Sequence, residues 1–126
     1  MEKKEFEFLG KKIALPTRHL DVFPCPGNIS VVRFESDEFT SFCPVTHQPD
    51  FNTLILEFSP DTLCIESKSL KLYIWSFRDE AVFAEGLASQ VAEDVFQAIQ
   101  PFWCKITLMQ NIRGGIALTV VAEKKR

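Results

Sequence analysis

Between residues 80 and 99 the apolar residues Val82, Leu87, Val91, Val95 and Ile99 recur at helical spacing. Gln90, Glu93, Asp94 and Gln97 fill polar positions of the same run, and Pro101 stops it. The pattern predicts a helix from Glu80 to Ile99. Just upstream, Leu70, Tyr73, Ile74 and Phe77 make a second apolar face. With Ser67 as N-cap, they predict a helix running to about Phe77.

Strand-like segments bracket this helical pair. Residues 29–35 and 53–58 are β-branched or alternating, and 63–65 reads as extended. Ser59-Pro60-Asp61 makes a turn. Residues 102–108 and 116–122 read as two further strands, joined by a turn at Asn111-Ile112-Arg113-Gly114-Gly115. Residues 1–27, punctuated by Pro16, Pro24, Pro26 and Gly27, read as an irregular N-terminal segment. The order strand, strand, helix, helix, strand, strand predicts an α+β domain. Its four-stranded antiparallel sheet would carry both helices on one face. The open edges of such a sheet invite pairing with neighbours in an oligomer.

A chain of 126 residues fits one domain, here 1–126. Twelve phenylalanines exceed the needs of one small core, so some are expected at an interface or a flat pocket. The net charge of −3 argues against a nucleic-acid coat. Lys124-Lys125-Arg126 is expected to be a frayed, solvated end. None of the four cysteines forms a C-x-x-C pair and the histidines are only His19 and His47, so no metal site is expected. Met1-Glu2-Lys3-Lys4-Glu5 opens no apolar signal region, and no apolar run is long enough to span a membrane. A cytoplasmic protein with reduced thiols is the expectation.

Several residues carry chemistry, each with a plain structural alternative. Cys43 is either a buried inert thiol or a nucleophile; its loop, with Pro44, Thr46, His47, Gln48, Pro49 and Asp50, differs from the apolar settings of Cys64 and Cys104. Asp50 suits a turn after Pro49, or a proton donor. His47 could pair with Cys43 as a base, though its spacing is not diagnostic. Glu66 and Glu85 suit capping or solvated positions, or the N–H/NH₂ edge of a guanine-like ring, with Phe83 able to stack on it. Lys68 and Lys71 share a helix face that meets either solvent or a phosphate. Arg113-Gly114-Gly115 makes a hairpin turn, or brings a guanidinium to a phosphate.

Phe42-Cys43-Pro44-Val45-Thr46-His47-Gln48-Pro49-Asp50-Phe51, Glu66-Ser67-Lys68-Ser69-Leu70-Lys71-Leu72-Tyr73, Ser76-Phe77-Arg78 and Arg113-Gly114-Gly115-Ile116 together resemble one family. It is the NADPH-dependent 7-cyano-7-deazaguanine reductases of queuosine biosynthesis, in their short single-domain form. The resemblance spans roughly residues 28–122. It implies a tunnelling fold, ββααββ, assembled into a ring that is often two stacked pentamers with active sites between subunits. It implies that Cys43 forms a covalent thioimide with the nitrile and that Asp50 delivers protons. Two hydrides from the cofactor NADPH would complete the reduction to the aminomethyl product. Ile65, Glu66, Ser67 and Phe83-Ala84-Glu85 map to substrate binding, with Glu85 on the amide and amino edge. Lys68 and Lys71 map to the NADPH side, with Arg113 a weaker candidate. Ala84 stands where the family usually has histidine.

Two other readings keep the same fold. One is an amidine-forming transferase acting on tRNA through the same thioimide; the intact Glu66–Tyr73 segment and the acidic charge argue against it. The other is a non-catalytic deazapurine-binding ring, supported only by Ala84.

Overall fold

A computed structural model of the chain describes residues 17–126. Strand β1 is Val22–Pro24, β2 is Val32–Phe42, β3 is Pro49–Ser59 and β4 is Leu63–Ile65. Helices α1, Ser67–Trp75, and α2, Ala84–Ile99, precede β5, Trp103–Arg113, and β6, Ile116–Lys125. The main sheet is antiparallel with order β2-β3-β5-β6, and β1 pairs with β4 in a separate two-stranded ribbon. The expected ββααββ order of the tunnelling fold is therefore present. The ribbon corrects the expectation of an irregular segment through residue 27, insofar as that segment lies among the described residues.

Alternation builds the core. On β3, Leu54, Leu56 and Phe58 are buried, and on β5 Cys104, Ile106 and Leu108 face the same layer. Leu70, Tyr73 and Ile74 of α1 and Leu87, Ala88, Val91, Val95 and Ile99 of α2 close over them. Helix α2 lies on β5 and β6, while α1 reaches β2. Tyr73 is fully buried, and its hydroxyl donates to Asp94 Oδ2 at 2.6 Å, which satisfies its polar end.

Four boundaries differ from the sequence expectation, three of them where another group takes the backbone bonds. The N-cap of α1 is Glu66, not Ser67: Glu66 Oε2 accepts from Lys68 N at 2.7 Å and Oε1 from Ser69 N at 2.8 Å. That helix ends at Trp75 rather than Phe77, where Ser76 Oγ donates to Tyr73 O at 2.5 Å and Phe77 N turns to Ile74 O at 3.3 Å. Helix α2 starts at Ala84 rather than Glu80, because residues 80–82 are held by β2. Phe42 N donates to Glu80 O at 2.9 Å and Val82 N to Phe42 O at 3.0 Å. The strands also run longer than their apolar runs, with β2 bulging between Ser36 and Phe39 and β3 beginning at Pro49.

The basic C-terminus is not frayed. Lys124 pairs with Glu93, and Arg126 Nη2 reaches Asp61 Oδ2 at 2.6 Å and Gln100 O at 2.7 Å. No described helix is long and apolar enough to cross a membrane.

Leu56 sits at the centre of this core with no exposure. Leu56→Ala is expected to lower unfolding stability by about 2–5 kcal/mol in urea titrations, through lost burial and a residual cavity.

Candidate active site

Cys43 follows the last residue of β2, and Asp50 is the second residue of β3. A six-residue connection, 43–48, joins the two strands, so both groups stand on one hairpin whose register pairs Ser41 with Asp50. The connection is closed by its own backbone: Cys43 N donates to Gln48 O and His47 N to Cys43 O, each at 2.9 Å. His47 takes φ 58°, a left-handed conformation that the turn imposes. Its side chain is exposed.

The loop acts on the thiol. Cys43 is half-buried, and its pKa is lowered to about 7. The Thr46 hydroxyl contributes most, followed by the backbone N–H groups of Thr46 and Val45; partial burial opposes them, and Arg113 adds a smaller lowering influence. Cys64 and Cys104 move the other way. Burial pushes Cys64 up to about 12, with Cys25 beside it adding to the effect, and burial also raises Cys104. The expected contrast between a loop thiol and two apolar-strand thiols therefore has a physical basis.

Asp50 is buried at 4% exposure and is not a free turn residue. Its Oδ1 accepts from Arg113 Nη1. Arg113 Nη2 lies 3.0 Å from Gln48 Oε1 and 3.3 Å from Thr46 Oγ1. The turn after Arg113 explains its placement. Gly114 and Gly115 take φ of 59° and 77°, and Arg113 pairs with Ile116 across a two-residue hairpin that needs positive φ at both central positions. Asn52 follows Asp50 on the same face of β3. Its Nδ2 donates to Phe39 O at 3.0 Å, while its buried Oδ1 has no partner among the described residues.

The remaining candidates fall into two groups. Phe83 and Glu85 are exposed at the start of α2, and Glu85 has no hydrogen-bond partner among the described residues. The bridge between Phe42 and Ala81 brings this helix start alongside the Cys43 loop. Ala84 is buried in the core, so it offers no polar side chain here. Ile65 is likewise buried, Glu66 is committed to capping α1, and Ser67 is exposed.

Lys68 and Lys71 line a groove of about 760 Å³ between α1 and β2. Ser67 and Trp75 share their wall; Phe34, Glu35 and Glu38 lie opposite. Strand β2 runs from this groove to Cys43. Among the described residues no cluster of three or more His, Cys, Asp or Glu could hold a metal.

Comparison with known proteins places the chain. A family model described as QueF-like protein matches residues 49–126. A protein of Syntrophus aciditrophicus, named NADPH-dependent 7-cyano-7-deazaguanine reductase, is 47% identical over 120 residues, 94% of this chain and 85% of that protein. One of the same name from Halorhodospira halophila is 49% identical over 110 residues, covering 86% and 93%. The chain belongs to this family. Its fold also matches the crystal structure of the archaeosine synthase QueF-Like in the apo form, with a TM-score of 0.71 and 28% identity over 75% of this chain and 92% of that one.

The thiol gives a direct check of the site. The thiolate is the reactive form, and its fraction rises with pH. Alkylation of Cys43 by iodoacetamide, followed by peptide mass mapping, is expected to accelerate with pH about a midpoint near 7 and to level off above it.

Proposed function

We propose that this chain reduces the nitrile of 7-cyano-7-deazaguanine to the primary amine with NADPH, through a thioimide on Cys43, as a step of queuosine biosynthesis. One observation carries the assignment of roles: a thiol with a lowered pKa and a buried carboxylate stand on the same hairpin, tied together by Arg113. Family membership supplies the substrate and the cofactor.

The Cys43 sulfur donates its electron pair to the nitrile carbon. One C≡N π pair moves to nitrogen, which takes up a proton, leaving S–C(=NH). Nothing is oxidised or reduced in this step. A low thiol pKa supports it, because the thiolate is present near neutral pH. Asp50 is the nearby group suited to handing protons to that nitrogen. The ionised carboxylate only accepts hydrogen bonds, so it must first take up a proton, and the proton that the Cys43 thiol gives up balances the step. Glu85, exposed and unpartnered among the described residues, suits the amide and amino edge of the deazaguanine, and exposed Phe83 suits its ring face. Ile65, Glu66 and Ser67 remain candidate backbone or edge contacts beside them.

The groove fits the cofactor chemically. Lys68 and Lys71 would meet its phosphates, Trp75 and Phe34 offer aromatic faces, and Glu35 and Glu38 offer acceptors for ribose hydroxyls. Conversion of nitrile to amine requires two hydrides, so two NADPH molecules bound there in succession would supply one each. Arg113, the weaker cofactor candidate, is engaged by Asp50, Thr46 and Gln48.

We further propose a homo-oligomeric ring, with stacked pentamers as the arrangement and sites completed between subunits. Val45, Phe51, Phe83, Ile112 and Ile116 are all more than half exposed near the hairpin ends and the start of α2, and such a rim suits coverage by a neighbour. Strands β2 and β6 present open edges. The acidic net charge favours a small-molecule substrate over nucleic acid and, with the family's chemistry, a cytoplasmic setting.

The amidine-forming transferase is the second reading, favoured by the fold match to a protein named archaeosine synthase. Intact mass spectrometry separates the two. With 7-cyano-7-deazaguanine alone, a covalent adduct is expected on the native chain and none on Cys43→Ala. Adding NADPH should discharge the adduct with consumption of cofactor. Asp50→Asn should slow turnover by about 10²-fold or more. An adduct that persists in NADPH would favour the transferase, and no adduct would remove Cys43 from catalysis.

A further inference from the structure

We propose that Arg113 is a positioning residue for Cys43, acting chiefly through Thr46: its guanidinium directs the Thr46 hydroxyl proton at the sulfur while anchoring the loop to Asp50. The proposal takes the identity of the electrophile from the reductase reading, but the clamp itself does not depend on that reading.

The argument counts lone pairs. A threonine hydroxyl has one donor and two acceptor sites. Two donors converge on Thr46 Oγ1, Arg113 Nη2 at 3.3 Å and the Gln48 backbone N at 3.3 Å. Neither can accept a hydrogen bond, because guanidinium and amide N–H groups only donate. With both acceptor sites engaged, the hydroxyl proton is left to donate elsewhere. Among the groups that lower the Cys43 thiol this hydroxyl has the largest influence, and Arg113 adds a smaller hydrogen bond to the sulfur directly. A thiolate receiving that hydrogen bond is stabilised relative to the thiol.

The guanidinium is itself held in place. Its Nη1 donates to Asp50, whose burial makes a compensating cation necessary, and its Nη2 also meets Gln48 Oε1 at 3.0 Å. The planar fork of arginine spans these partners from a fixed position, which a lysine ammonium on a flexible stem does not match. Asp50, Thr46 and Gln48 are thus indexed to one group on the neighbouring hairpin. The sulfur's surroundings are set before any electrophile arrives.

The test is the pH dependence of Cys43 alkylation by iodoacetamide, read by peptide mapping on the full chain. Four single variants, Arg113→Gln, Arg113→Lys, Thr46→Val and Thr46→Ser, and one double variant are compared with the native protein. Thr46→Val should move the midpoint up from about 7 towards the ordinary thiol value, slowing alkylation at pH 7 about five-fold or more. Arg113→Gln should move it the same way by a smaller amount, Arg113→Lys should recover part of the shift, and Thr46→Ser should keep the native midpoint. The double variant Thr46→Val/Arg113→Gln should shift by less than the sum of the two single shifts, because most of the guanidinium's influence passes through the hydroxyl and only its smaller direct bond to the sulfur adds independently.

A native midpoint in Arg113→Gln, or full additivity in the double variant, overturns the proposal. Should Arg113→Gln fail to fold, Arg113→Lys against Thr46→Ser decides by the same midpoint. Adduct formation with 7-cyano-7-deazaguanine is measured in parallel. Its absence in the native chain would refute the reductase reading, while the alkylation midpoints would still decide the clamp.

Discussion

Alternation along β3 ties the hydrophobic core to the chemistry. Asp50, Asn52, Leu54, Leu56 and Phe58 share one buried face of that strand. Slipping the register by one residue would turn Leu54, Leu56 and Phe58 towards solvent, at about 1.5–3 kcal/mol for each side chain. The same slip would turn Asp50 away from its partner. The energy that specifies the core therefore also specifies where the carboxylate stands. It needs no separate device.

Backbone bridges extend this control to the elements around the site. The exchange of hydrogen bonds between Phe42 and residues 80–82 delays the start of α2 and sets Phe83 and Glu85 beside the Cys43 loop. At the other helix, Glu66 spends both carboxylate oxygens on the first turn of α1. Asp21 anchors that turn from the N-terminal ribbon: its carbonyl accepts from Glu66 N and its amide donates to Ser69 Oγ, each at 2.9 Å. Lys68 and Lys71 are thereby presented along one wall of the groove. A motif that reads as ligand-binding in sequence is thus also a structural cap.

Much of the fold was legible because helix and strand periodicities differ. The stripe from Leu87 to Ile99 and the alternation of 53–58 each admit one reading. Boundaries were less legible, since caps and bridges involve partners distant in the chain. Serine is a better N-cap than glutamate on local preference, yet Glu66 holds the position because its two oxygens reach two amides. Lys124 and Arg126 looked like a loose end because Glu93, Asp61 and Gln100 lie far away in sequence.

The candidate site divides in the same way. The sequence by itself determined the local setting of the candidate nucleophile: a cysteine among Thr46, Gln48 and turn-forming prolines, seven residues before an aspartate, on a chain patterned for antiparallel strands. Residue type and local spacing suffice for that, because the loop closes on its own backbone. Only the tertiary structure decided that Arg113 meets Asp50 and Thr46, across 63 and 67 residues. Local propensity carries no information about which strands become neighbours. Pairing of β3 with β5, driven by burial of their shared apolar face, brings the two hairpin ends together.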